Sequence, residues 1–283
     1  MRYLMFSKHL QELDIPAAGR AIKELGFDGV ELTVRPNGHI VPERVTEDLP
    51  RAVETLREIG LAVPALVTDV KGKDAPFTRE LCATAAKVGA TYFRNTAWPY
   101  RPFGTVREQV AAATHNAHEL ESLGREYGLR FCVHCHSGNS LTAHGALLAQ
   151  IIADTDPRYV AASFDLGHLT VEGGIGGWVQ SIDLLQERVG ILAVKSYGWF
   201  SEPDEQTGGT RWTPRLVPLQ DGQVQWARAF ALLRQVGWDT DGRALVSIHS
   251  EYQGRGSWRS LELPELLKQT GADFAFLCRQ AAP

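Results

Sequence analysis

Eight repeats of one local pattern within 283 residues predict a closed (β/α)8 barrel, formed as a single domain over residues 1–283. Three observations carry that prediction. Short apolar runs alternate with longer helical stretches along the whole chain, and no two apolar runs follow each other directly. That order implies parallel strands joined by right-handed crossovers. A glycine stands at or near the end of most helical stretches, where its access to the left-handed conformation closes a helix. The length suits one α/β barrel. An open doubly wound sheet is the alternative, but no Gly-rich dinucleotide turn follows the first apolar run.

The elements follow in order. The first strand is "YLMFS" (3–7), and "PAAGRAIKELG" (16–26) supplies the first helix, closed by Gly26. Then come "GVELT" (29–33) with "LPRAVETLREIG" (49–60), "AVPALVT" (62–68) with "TRELCATAAKVG" (78–89), and "TYFRN" (91–95) with the long stretch 106–128. The second half reads "RFCVHC" (130–135) and helix 146–155, "VAASFD" (160–165) and helix 178–190, "ILAVKS" (191–196) and helix 224–237, then "ALVSIHS" (244–250) and helix 263–280. The longest irregular piece is 197–222, after the seventh strand. A loop of that length in a compact domain is usually functional or disordered. Its Trp199, Phe200, Arg211 and Trp212 favour a lid over the site.

Composition narrows the function classes. With 44% hydrophobic and 22% charged residues the chain reads as an ordinary soluble globular protein. The net charge of −4 and the lack of a Lys/Arg block give no footprint for nucleic acid. No apolar run is long enough for a membrane span, and "MRYLMFSKHL" turns polar too early for a secretory signal. A cytoplasmic location is the expectation. Cys132 and Cys135 spell C-x-x-C, but on a strand they point to opposite faces, so buried free thiols are expected rather than a redox or zinc pair.

In such barrels the reactive groups come from the carboxyl ends of strands, on inward-facing alternates. In "RFCVHCHSGN" His134 and His136 share a face with Cys132, while Phe131, Val133 and Cys135 take the other. The same alternation turns Glu31, Thr33, Arg94, Ser163, Asp165, Ala193, Lys195, Tyr197, Ser247, His249 and Glu251 inward, with Arg35 a further candidate. One rim thus collects Glu31, Arg94, His134, His136, Asp165, Lys195, His249 and Glu251. Burying so many ionisable groups together costs too much unless they pair or bind something. Plainer roles exist for several. Glu31 and Arg94 can form a structural ion pair, His249 can be an orienting or core histidine, and His134 and His136 can be ordinary hydrogen-bonded imidazoles. His9, His39 and His144 fall in loops, where a solvated ring is the default.

With "LGFDGVELTVRPNGH", "VHCHSG", "FDLGHLTVEGG", "AVKSYGW", "VPLQDGQVQW" and "HSEYQG" in this order, the chain resembles the xylose isomerase-like TIM-barrel superfamily nearly end to end. The resemblance implies a sugar or polyol isomerase or epimerase that moves a proton next to a carbonyl with one divalent metal. It matches Asp165 and Glu251 to metal-binding carboxylates of the family. At the strand-five position His134 stands where many relatives have Glu, and the usual "H-x-K-D" of strand seven reads Ala193-Val194-Lys195-Ser196. The implied ligand set is His134, Asp165 and Glu251, with His136 as a fourth. Mn²⁺, Zn²⁺ or Fe²⁺ suits those donors better than Mg²⁺. Glu251, His134, Lys195 and His168 are the candidate catalytic groups, and Glu31, Arg94, His136, Trp199 and His249 the candidate substrate contacts. A small sugar or polyol is the expected partner, nucleic acid and membrane are not, and a homo-oligomer is possible. The rival readings are a dehydratase-like lyase of the inosose or dehydroshikimate kind, which needs one base and one acid, and a non-catalytic sugar-binding barrel.

Overall fold

Eight parallel strands close on themselves in the computed structural model, which describes residues 1–282 apart from Thr96 and Arg243. In chain order the strands are β1 (Arg2–Phe6), β2 (Gly29–Thr33), β3 (Ala62–Thr68), β4 (Tyr92–Asn95), β5 (Arg130–His134), β6 (Val160–Asp165) and β7 (Val189–Val194). An antiparallel pair follows, β8 (Ser196–Pro203) and β9 (Thr210–Val217), and then β10 (Leu245–Ile248). The barrel runs β1-β10-β7-β6-β5-β4-β3-β2 and back to β1, so the predicted (β/α)8 architecture is the one found. The helices are α1 (Ile15–Glu24), α2 (Val45–Glu58), α3 (Thr78–Val88), α4 (Val106–Tyr127), α5 (Gly145–Ile152), α6 (Leu166–Leu185), α7 (Trp226–Gln235) and α8 (Leu263–Ala281). None of them is long and apolar enough to cross a membrane.

Alternation along the strands separates two cores. Val30, Leu32, Phe93, Phe131, Val133, Phe164, Leu192, Val194, Val246 and Ile248 face outward and pack with the apolar sides of the helices. Inside the barrel, Leu4, Ala65, Cys132, Ala161, Ile191 and Leu245 form a separate apolar floor. That floor admits little more volume: a Cβ on Gly190 would lie 2.5 Å from Cys132 Sγ. Above it the inward positions become polar, so the floor forces every ionisable inward group toward one end of the barrel.

Two elements differ from the sequence reading. The stretch 197–222 is largely an ordered two-stranded arm, with Ser196 opposite Val217 and Pro203 opposite Thr210. Its tip closes through Asp204 N–H donating to Gly209 O, with Gly208 at φ +71°. Gly198, Pro203 and Pro214 break the usual strand signature, and proline is tolerated in a two-stranded ribbon where its missing N–H would face away from the partner strand. Helix α6 begins at Leu166 rather than near 178, because the Asp165 side chain caps it by accepting from His168 N–H at 3.0 Å. The glycine-rich stretch inside α6, with a break at Gly174 (φ +57°), hides this first turn from a periodicity test.

Candidate active site at the barrel mouth

A buried carboxylate organises one half of the mouth. Glu31, at the middle of β2, is fully buried and accepts from Arg94 Nε at 2.8 Å, from Ser247 Oγ at 2.7 Å, and pairs with His249 Nε2 at 3.2 Å. Burial alone would raise its pKa. The Arg94 guanidinium and the hydrogen bonds of His249 and Ser247 outweigh that and hold it at about 2. Burial and Arg94 in turn push His249 down to about 4, so its ring is neutral near pH 7. Arg94 Cζ stands over the Phe6 ring, 4.3 Å from its centroid. Its Nη2 is buried and has no hydrogen-bond partner among the described residues.

The other half gathers histidines and an ion triad. Asp165, the last residue of β6, gives Oδ1 to the cap of α6 and leaves Oδ2 accepting no hydrogen bond among the described residues. Around Oδ2 stand Lys195 Nζ at 3.3 Å, His134 Nε2 at 3.6 Å and His168 Nε2 at 3.9 Å. Lys195 also donates to Glu251 Oε2 at 2.8 Å. Burial raises the Asp165 carboxyl to about 6, against the pull of Lys195. Burial would lower the Lys195 ammonium, but Asp165 and Glu251 hold it above its ordinary value, so it stays charged. Burial, with the nearby cations, keeps His134 and His168 well below 6.5 and therefore neutral. Burial would raise Glu251, yet Lys195 and contacts from His9 and Lys8 hold it well below 4.5.

Most of the residues singled out in the sequence share one cavity of about 230 Å³. Arg94, His134, His136, Lys195, His249 and Glu251 line it, with Arg35 and Lys8. Glu31 and Asp165 lie just beneath, reached through their partners. His136 is exposed, stacks 3.9 Å from the His168 ring, and points Nδ1 at Ser137 O. Trp199 sits on the exposed outer part of β8 and does not line the cavity. Two contributors escaped the sequence reading. Lys8, in the turn after β1, donates to Glu251 Oε1 at 3.0 Å. His9, expected to be a solvated loop histidine, is buried with Nε2 3.6 Å from the same oxygen. Lys8 and Glu251 are 243 positions apart in the chain and adjacent in space, which leaves no local signal for such contacts.

With the geometry in place, comparison with known proteins adds the family. A family model described as xylose isomerase-like TIM barrel matches residues 20–269. The chain belongs to this family. No curated protein matches the sequence. Among solved structures, the chain is similar to 3-keto-D-glucoside 4-epimerase YcjR from E. coli, with 15% identity, 99% of each chain covered and a TM-score of 0.70. It is likewise similar to AsbF, a probable 3-DHS dehydratase from Bacillus anthracis, at 16% identity, 97% and 99% coverage and a TM-score of 0.66. A third is the IOLI protein with a bound zinc atom, at 12% identity, 100% and 99% coverage and a TM-score of 0.71.

For a member of this xylose isomerase-like family the mouth must be asked whether it suits a metal ion. His134, Asp165 and His168 each offer one donor atom, all within 4.8 Å of one another. Tetrahedral zinc ligands at about 2.0–2.1 Å from the ion stand roughly 3.4 Å apart, so a small contraction closes the set. Both rings use Nδ1 elsewhere, His134 with Ser163 Oγ at 3.2 Å and His168 with Ser137 Oγ at 2.7 Å, which leaves each Nε2 for the ion. Among the described residues the Asp165 Oδ2 and His168 Nε2 atoms are buried and accept or donate no hydrogen bond, with the Lys195 ammonium 3.3 Å from Oδ2. These residues fit a divalent ion of the zinc class. The sequence-based ligand set shares His134 and Asp165 with this cluster; Glu251 and His136 lie outside it, and His168 enters it from the first turn of α6.

Proposed function

We propose that this protein is a sugar or polyol isomerase or epimerase that moves a proton next to a carbonyl, with His134, Asp165 and His168 holding one divalent metal. The observation that supports it most is the Asp165–Lys195–Glu251 triad opening onto a polar cavity at the carboxyl ends of the strands, where barrel enzymes keep their chemistry. A bound metal would supply Lewis-acid polarisation of a carbonyl or hydroxyl oxygen. The chain's own residues do the rest. Glu251, kept ionised and facing the cavity, accepts the proton from the carbon beside the carbonyl. Lys195, kept protonated, donates a hydrogen bond to the oxygen on which charge develops. His136, exposed at the rim, is the second group able to exchange a proton with the substrate. Glu31 and His249 fix Arg94 in the wall, and Asn139 and Ser140 offer hydrogen bonds to hydroxyls.

Solvent deuterium exchange tests this reading directly. Incubated with a panel of ketoses and inososes in D₂O, the protein is expected to place deuterium at the carbon next to the carbonyl. Glu251→Gln and Lys195→Gln should each cut the rate by about 10²- to 10⁴-fold, the usual worth of positioned acid–base groups. A protein that binds the sugar yet introduces no deuterium refutes proton transfer. A dehydratase is the second reading, favoured because Glu251 is the only carboxylate among the lining residues. One base and one acid suffice for loss of water, whereas epimerisation needs a proton carrier on both faces. Release of a dehydrated product from the same panel would select it.

A further inference from the structure

The charges around the cavity are divided by strand. Lys8 follows β1, Arg35 follows β2 and Arg94 stands on β4, so three cations come from one arc of the barrel. His134, Asp165 and Lys195 come from the opposite arc, β5 to β7, and Glu251 follows β10 between them. The carboxylates are already committed. Glu31 is filled by Arg94, Ser247 and His249, and Glu251 is shared by Lys8 and Lys195. Four cationic side chains, Lys8, Arg35, Arg94 and Lys195, therefore face three carboxylates, Glu31, Asp165 and Glu251. A bound divalent metal would widen the excess.

The excess is localised. Arg94 is 6% exposed and keeps Nη2 buried without a hydrogen-bond partner among the described residues while its Nε holds Glu31. A guanidinium with one edge held and the other free presents its fork in a fixed direction, the arrangement suited to carboxylate or phosphate oxygens. Arg35 makes no ion pair among the described residues; burial and the repulsion of Arg94 both weigh against its charge. Asp69, which also attracts it, is exposed and so acts through screened solvent. The backbone of Arg35 is held beside the mouth, because Gly38 N–H closes a turn onto Arg35 O at 2.8 Å, and its side chain lines the cavity. Glu251 and Glu31 offset part of the repulsion between the two guanidiniums, and an anion lodged between them would relieve it further.

We infer that the substrate is anionic, a polyhydroxylated molecule whose carboxylate or phosphate docks against Arg94, Arg35 and Lys8 while its reacting carbon lies toward Lys195 and Glu251. The inference rests on the reading of this cavity as the substrate site, and it adds the class of molecule. Neutral ketoses of the same size lack the group this arc would neutralise.

Isothermal titration separates the possibilities. D-Glucuronate and D-fructose 6-phosphate represent the two anions, D-glucose and D-fructose their neutral counterparts, and inorganic phosphate the bare ion. At least one of the two sugar anions should bind tenfold or more tightly than its neutral counterpart, and raising salt from low ionic strength should weaken that anion alone. The arm that binds tells carboxylate from phosphate. Arg35→Gln, on a surface turn, should keep the melting temperature while reducing anion affinity about tenfold, the scale of one charge-assisted hydrogen bond. Neutral sugars bound as tightly as the anions, inorganic phosphate bound as tightly as the sugar anion, or an Arg35→Gln loss equal for both classes would overturn the inference. Its failure is distinct from that of the proposed reaction. Deuterium exchange into a neutral ketose without anion preference sinks the anion site alone, and tight anion binding without any exchange sinks the reaction alone.

Discussion

Replacing Glu31 by Gln perturbs the centre of the buried network with almost no change in shape. It leaves Arg94, whose side chain is 8% exposed, without its carboxylate. Removing one member of a buried pair typically costs about 3–5 kcal/mol, and the amide oxygen that remains for Arg94 Nε places this case near the low end. A second route to the magnitude is the carboxyl itself, held at about 2 in the folded chain against an ordinary 4.5. That gap corresponds to about 3 kcal/mol, so the two routes agree. The sign follows from the direction. A depressed carboxyl contributes its full stability above its unfolded value, near 4.5, and loses it as the pH falls through its folded value, near 2. Urea unfolding of both proteins, followed by tryptophan fluorescence and circular dichroism, should therefore give a difference of about 3 kcal/mol at pH 7 that is roughly 1.5 kcal/mol smaller at pH 3.5. A penalty below about 1 kcal/mol at pH 7, or one that is equal at both pH values, would refute the account of Glu31 as an ionised hub.

Two further outcomes follow from the site and the barrel floor. One equivalent of zinc should be retained by the protein on elemental analysis, and zinc at a hundred times its dissociation constant should stabilise the fold by about 3 kcal/mol. His168→Ala should abolish both effects, and equal zinc uptake by that variant would remove His168 from the ligand set. Of the four thiols, Cys82, Cys132 and Cys135 are buried, and burial pushes each to about 12. A disulfide reagent at pH 8 should accordingly label Cys278 in the native protein and the other three only after unfolding. Rapid labelling of Cys132 in the native state would contradict the packing of the floor, and that of Cys82 or Cys135 the packing between strands and helices.

How much of this was legible in the sequence depended on range. The eight barrel strands were, because the residues of each, such as "VAASFD", carry their own apolar alternation. The inward set Glu31, Arg94, Ser247 and His249 followed from period two alone, since parity along a strand decides which side chains meet in the interior. The arm at 196–217 did not, because its pairing is held by a partner strand rather than by any apolar face. His168 acquires its place only once the helix is known to start at Leu166, and that start depends on a single side-chain cap from Asp165. Lys8 and His9 reach Glu251 across the β1–β10 seam, where the two ends of the chain meet. Closure of the barrel creates that contact, and no window along the sequence contains it.

The arm begins at Ser196, one residue beyond Lys195, so the segment that reaches out over solvent and the ammonium that ties two carboxylates share a single peptide hinge. A ligand that draws the ribbon down over the opening would pull on its two roots, Ser196 and Val217, the first of them bonded to the residue that carries the ammonium. Trp199 and Trp212, exposed on the ribbon, then serve as built-in optical reporters of an event at the floor of the opening.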